Sequence, residues 1–98
     1  MDTWELERQE FLNLPRLPAI ITDVQTGWIL GFTGEAIGIL VREKILMPLG
    51  GAGREDSKRF SSAYVGQLSR NREWFDQATD TVYAAGAKSK LNQNHKNL

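Results

Sequence analysis

Ile20-Ile21-Thr22-Asp23-Val24-Gln25-Thr26-Gly27-Trp28-Ile29-Leu30-Gly31-Phe32-Thr33-Gly34-Glu35-Ala36-Ile37-Gly38-Ile39-Leu40-Val41 is the stretch that decides the fold of this chain. Thr22 brings a hydroxyl that accepts a hydrogen bond from a free backbone N–H at a helix start, and Gln25 can reach back to it as in a capping box. The helix so begun runs to about Leu30. Gly31 can then take the left-handed conformation that stops a helix without steric cost. Thr33 caps a second helix, roughly Gly34 to Glu43, whose Ile37, Leu40 and Val41 share one face with Ala36 alongside. Two helices meeting across a tight turn are expected.

Outward toward the N-terminus, residues 3 to 13 can form a short amphipathic helix, with Trp4 and Phe11 on one face and Glu5, Glu7, Arg8 and Glu10 mostly elsewhere. Pro15 and Pro18 end it and hold Leu14–Pro18 extended as a connector. On the other side, Ile45 and Leu46 read as a short strand, because Pro48 prevents further helix. Leu49-Gly50-Gly51-Ala52-Gly53 is a turn-forming stretch, and the charged run from Arg54 to Arg59 leads into Phe60. Strand, glycine loop, strand is the expected order.

Ser61 can cap a helix that turns Val65 and Leu68 inward, and Asn71 can cap another. That last helix carries Trp74, Phe75, Ala78, Val82 and Ala85 at helical spacing to about Gly86. From Lys88 onward the residues are polar and rich in Asn and Lys, so a frayed tail is expected. The organisation is one domain in four parts: an N-terminal helix and connector over 1–19, a central unit over 20–69, a packing helix over 70–87 and a polar tail over 88–98. No internal repeat is visible.

With 98 residues, a 41% hydrophobic fraction and nine aromatic residues, one packed core is possible but marginal, since much of so small a domain stays wet. There are no cysteines, so disulfides and thiolate metal sites are excluded and packing alone must hold the fold. The longest apolar stretch, Trp28 to Val41, is broken by Gly31, Thr33, Glu35 and Gly38, and the first residues are acidic and polar. No membrane association and a cytoplasmic location are therefore expected. Twelve basic and twelve acidic side chains cancel, but unevenly along the chain. Residues 1–19 carry four acidic against two basic groups, net −2, whereas residues 51–72 carry five basic against two acidic, net +3.

Taken in order, Ile21 to Thr33 resembles the first helix and turn of excisionase-like and MerR-like DNA-binding domains: a capping Thr22, the small Gly27, Leu30 followed by Gly31, Phe32, then a capping Thr33. Ile37, Leu40 and Val41 resemble the inward face of that family's second helix. Leu46 resembles the leucine opening its wing, Phe60 the apolar anchor closing it, and Val65 and Leu68 the core of the next helix. The resemblance covers about half of the chain, from Ile20 to Leu68. It implies a mainly α fold with a small β-hairpin wing, a winged helix-turn-helix with flanking N- and C-terminal helices. Trp28 and Pro48-Leu49-Gly50 also resemble a group of small bacterial proteins, a likeness that implies no activity.

In the DNA-binding members the second helix enters the major groove. Here its outward positions are Gly34, Glu35, Gly38 and Ile39, which are poor base readers: Gly38 has no side chain, Ile39 no hydrogen bond to offer, and Glu35 suits only a cytosine amino group. A glycine inside a helix costs about 1 kcal/mol relative to alanine, and close approach of another backbone is one reason to keep Gly38. Arg54, Lys58 and Arg59 flank the glycine loop where winged domains touch phosphates, and Arg42 near the second helix's end can join them. The candidate nucleic-acid-binding residues are thus Thr33, Glu35, Arg42, Arg54, Lys58 and Arg59. A solvated hairpin surface, with Glu55 and Asp56 offsetting the cations, is the competing reading. Transcription regulation as an accessory DNA-binding protein, as a homodimer or beside a protein partner, is the function this implies.

Gly50–Arg54 lacks the Gly-Lys-Ser/Thr ending of a phosphate-cradling loop, so it reads as a wing tip. His95 stands without a partner in the polar tail, and Asp76 and Asp80 lack a third ligand. No metal, cofactor, small-molecule substrate or enzymatic activity is expected, because no nucleophile–base pair or metal cluster can be assembled. Trp4, Trp28 and Trp74 should pack helices together. The alternative is that Trp4, Trp28 and Ile39 form an exposed apolar patch, which would make the chain a protein-interaction module that has lost base reading.

Overall fold

The computed structural model describes residues 3–50 and 58–96, with side chains described through Gly86 in the last helix. Its elements are α1 (Thr3–Leu12), β1 (Ile20–Thr22), α2 (Asp23–Leu30), α3 (Gly34–Arg42), β2 (Arg59–Ser61), α4 (Ser62–Ser69) and α5 (Arg72–Lys96). The fold is mainly helical with one small two-stranded antiparallel sheet.

The starts of α2, α3, α4 and α5 are each a local hydrogen bond that the sequence encodes. Thr22 Oγ1 accepts from the Gln25 amide at 3.1 Å while Gln25 Oε1 accepts from the Thr22 amide at 3.0 Å, the reciprocal capping box. Thr33 caps α3 through the Ala36 amide and Ser61 caps α4 through the Tyr64 amide. Asn71 accepts from the Trp74 amide at the head of α5. Gly31 closes α2 at φ +80°, a conformation that glycine takes without a Cβ clash.

The sheet differs from the expected hairpin. β2 pairs with β1, in the register Ile20↔Ser61, Ile21↔Phe60 and Thr22↔Arg59, and Ile45 and Leu46 form no strand. The reason lies at the end of α3. Lys44 adopts φ +62°, and the amides of Ile45 and Leu46 both donate to the Leu40 carbonyl, at 2.9 and 3.1 Å. Those donors are spent on the helix end and cannot form a ladder. What remains of the expected hairpin is one backbone bond, Leu49 N–H to the Arg59 carbonyl at 2.8 Å. Residues 51–57, where the glycine loop was expected, lie outside the described residues.

α5 also departs from expectation, running on to Lys96 rather than stopping near Gly86. Extending a formed helix adds one bond for each residue fixed, and Ala87–Lys96 contains no proline, so continuation costs little.

The core gathers Phe60, Ile21, Ile37, Leu40, Leu46 and Val65, all essentially without exposure, with Phe11, Leu30, Trp74 and Ala78 around them. Each such side chain contributes about 1.5–3 kcal/mol by leaving water. Leu46 reaches this core because the left-handed turn at Lys44 folds the chain back beneath α3. Buried Thr26 satisfies its hydroxyl on the Thr22 carbonyl at 2.8 Å, and no buried side-chain polar atom among the described residues lacks a partner.

No single described helix is long and apolar enough to cross a membrane. α2 and α3 have the composition together, but they are bent 100° to one another and bury Leu30, Ile37 and Leu40 inside the protein.

Candidate nucleic-acid interface

The site is built on the α2–α3 pair. A 100° bend over the turn Gly31-Phe32-Thr33 falls within the range of helix-turn-helix units. Gly27 makes it possible. A Cβ at that position would stand 2.6 Å from the Phe32 carbonyl oxygen, so only glycine lets the turn fold back so tightly on α2. Phe32 then anchors the turn to α5, stacked on Phe75 with centroids 6.0 Å apart and edge-on to Trp74 at 6.4 Å.

Behind α3, Ala36, Ile37 and Leu40 are buried. By helical spacing the outward face therefore carries Glu35, Gly38, Ile39 and Arg42. Glu35 and Arg42 are exposed, in the first and last turns respectively, where each complements the helix dipole. A Cβ added at Gly38 would meet no atom within 4 Å, so no neighbour within the described structure requires a glycine there. Ile39 is half-buried and does not pack against the central core cluster. The Thr33 hydroxyl is committed to capping, at 3.1 Å from the Ala36 amide.

The segment after α3 is held from three sides. Leu46 is buried, the Trp74 indole N–H donates to the Ile45 carbonyl at 3.0 Å, and the Met47 amide donates to the Tyr64 hydroxyl at 3.1 Å. Leu49 then meets Arg59, so the chain leaving the Arg42 end of α3 is bonded to the basic start of β2. There Lys58 is half-buried and Arg59 exposed, the Arg59 guanidinium donating to the Lys58 carbonyl at 3.2 Å. Arg54 lies outside the described residues.

The tryptophans take different places. Trp28 is half-buried between helices, 5.6 Å from Phe11 and 6.3 Å from Trp4, and fastens α1 to α2. Trp4 remains 54% exposed at the edge of that contact. Ile39 belongs to the outer side of α3, whose packing partners are α2 and α5 rather than α1. Sequence reasoning missed β1 and the Ala19 carbonyl that accepts from the Ser62 amide at 2.9 Å. The β-branched pair Ile20-Ile21 was the only local sign of a strand there.

Among the described residues no group of three His, Cys, Asp or Glu side chains is placed to hold a metal, and Asp76 and Asp80 are exposed on α5. Comparison with protein-family models, with curated proteins and with solved structures finds no match.

Proposed function

We propose that this chain is a DNA-binding or regulatory accessory protein, a variant of the winged helix-turn-helix, that holds duplex DNA by its phosphates. The observation that carries the reading is the bond from Leu49 to Arg59, which ties the chain that leaves the Arg42 end of α3 to the segment of exposed Arg59 and its neighbour Lys58. Cations on a rigid scaffold position a duplex, while Glu35, Gly38 and Ile39 offer little to base edges. Contact without sequence reading follows. Three phosphate contacts make such binding weak and steeply salt-dependent, with a slope of log K against log salt of about −2.7. Titration of a labelled duplex at rising salt tests this. Association that weakens at least that steeply supports the proposal, and no association at low salt, or one indifferent to salt, removes it.

A second reading is favoured by Gly38 and Ile39. An open glycine beside a half-exposed isoleucine suits close approach of a protein partner, and a fold does not dictate its use. Ile39→Lys separates the two: a phosphate binder keeps or gains affinity for DNA, whereas a protein interface built on α3 is lost.

A further inference from the structure

The zero net charge of the chain conceals a division. Residues 1–80 carry twelve acidic and nine basic side chains, net −3, whereas residues 81–98 carry Lys88, Lys90 and Lys96 and no acid, net +3. The structure gives this division a shape. α5 is one continuous helix from Arg72 to Lys96. It is rooted by buried Trp74 and Ala78, and Val82 is the last described side chain packed on the core. One residue later Tyr83 is 80% exposed, and Gly86 is exposed as well. The ten residues past Gly86 add about 15 Å of helix at 1.5 Å each. The molecule is correspondingly long, 52 Å against 34 and 29 Å.

Helical spacing puts Lys88, Asn92, His95 and Lys96 on one face of this extension, with Lys90 on the opposite side. Lysines meet phosphates, and asparagine is among the few side chains that read adenine in the major groove, a channel wide enough for one α-helix. Lys96, in the last turn, would sit there for the helix dipole alone, but Lys88 and Lys90 lie more than a turn earlier and need another reason. A lipid surface would demand a broad apolar face, and residues 87–98 offer only Ala87, Leu91 and Leu98.

We infer that the C-terminal extension of α5, residues 87–96, is a second duplex-contacting element, a basic helical arm that supplies the groove contacts α3 lacks. This rests on the DNA-binding reading above and extends it. Fluorescence anisotropy on a labelled mixed-sequence duplex, at salt from about 50 to 200 mM, tests it with the full chain and two triple variants. One is K88Q/K90Q/K96Q in the arm and the other R42Q/K58Q/R59Q in the body, with circular dichroism to show that the helices persist. Glutamine and lysine have similar helix propensity, so the arm itself should survive the change. The arm variant should bind at least about ten-fold more weakly at the lowest salt, with a slope of log K against log salt shallower by about 1.8, the share of Lys88 and Lys96 on the contacting face.

An arm variant that binds like the unmodified chain while the body variant loses affinity would overturn the arm and leave the body reading standing. The reverse pattern would uphold the arm and sink the body contacts. No binding by the unmodified chain removes both. Stronger association with anionic phosphatidylserine vesicles than with duplex would also overturn the inference.

Discussion

Three glycines on the α2–α3 unit show how position decides the value of a missing side chain. Gly27 is a packing requirement, since a Cβ there would meet a backbone oxygen at 2.6 Å. Gly27→Ala should destabilise the protein by about 1–3 kcal/mol, the ordinary cost of overpacking, seen as a lower urea midpoint. Gly38 is the opposite case, with open space around it and a helical backbone. Gly38→Ala should stabilise by up to about 1 kcal/mol through helix propensity alone. DNA binding through phosphates should be unchanged by it, whereas a partner pressed against the α3 backbone would be displaced, so the same variant reports on both function and stability. Gly31, at φ +80°, has space but the wrong conformation for alanine. Gly31→Ala should cost about 1–2 kcal/mol although it touches nothing.

The elements are joined by side chains from the C-terminal half that pin what precedes them. Trp74 and Tyr64 grip the backbone of Ile45 and Met47, and Phe32 seats the helix turn on Trp74 and Phe75. α5 is therefore the frame against which α3 and its following turn are held. Trp74→Phe keeps most of the ring but removes the indole donor, leaving the Ile45 carbonyl unpaired. It should cost about 1–3 kcal/mol. Hydrogen exchange should quicken at the Leu46 and Leu49 amides before it does in α2, because their segment loses its anchor first. Local opening of this kind is checkable by native-state exchange. At the N-terminal side, Thr22→Ala removes one half of the capping box and should cost about 0.5–2 kcal/mol.

For the whole molecule, charge is the property that links structure to function. A chain with no net charge gains nothing from long-range attraction to DNA, so any binding depends on where its cations are gathered. Arg42, Lys58 and Arg59 lie on connected segments of the body, while Lys88, Lys90 and Lys96 follow the last acid and ride a helix that leaves it. R42Q/K58Q/R59Q should fold normally, because Arg42 and Arg59 are exposed and none of the three belongs to the core, and should bind duplex with a salt slope shallower by about 2.7.

Local sequence settles where α2 to α5 begin and where α2 ends. Thr22, Thr33, Ser61 and Asn71 each act on an amide three residues away, and Gly31 needs only its own φ. Candidate site residues were legible to the same extent: their exposure follows from helical spacing, as with Glu35 and Arg42, but their grouping does not. Tertiary structure alone decided the partner of β2. Once Lys44 turned left-handed and the Leu40 carbonyl took the amides of Ile45 and Leu46, the strand expected there had no donors to share, and Ile20–Thr22 took its place. Hydrogen bonds within one turn are written in neighbouring residues; a choice between distant partners is settled only when all the competing donors have been spent.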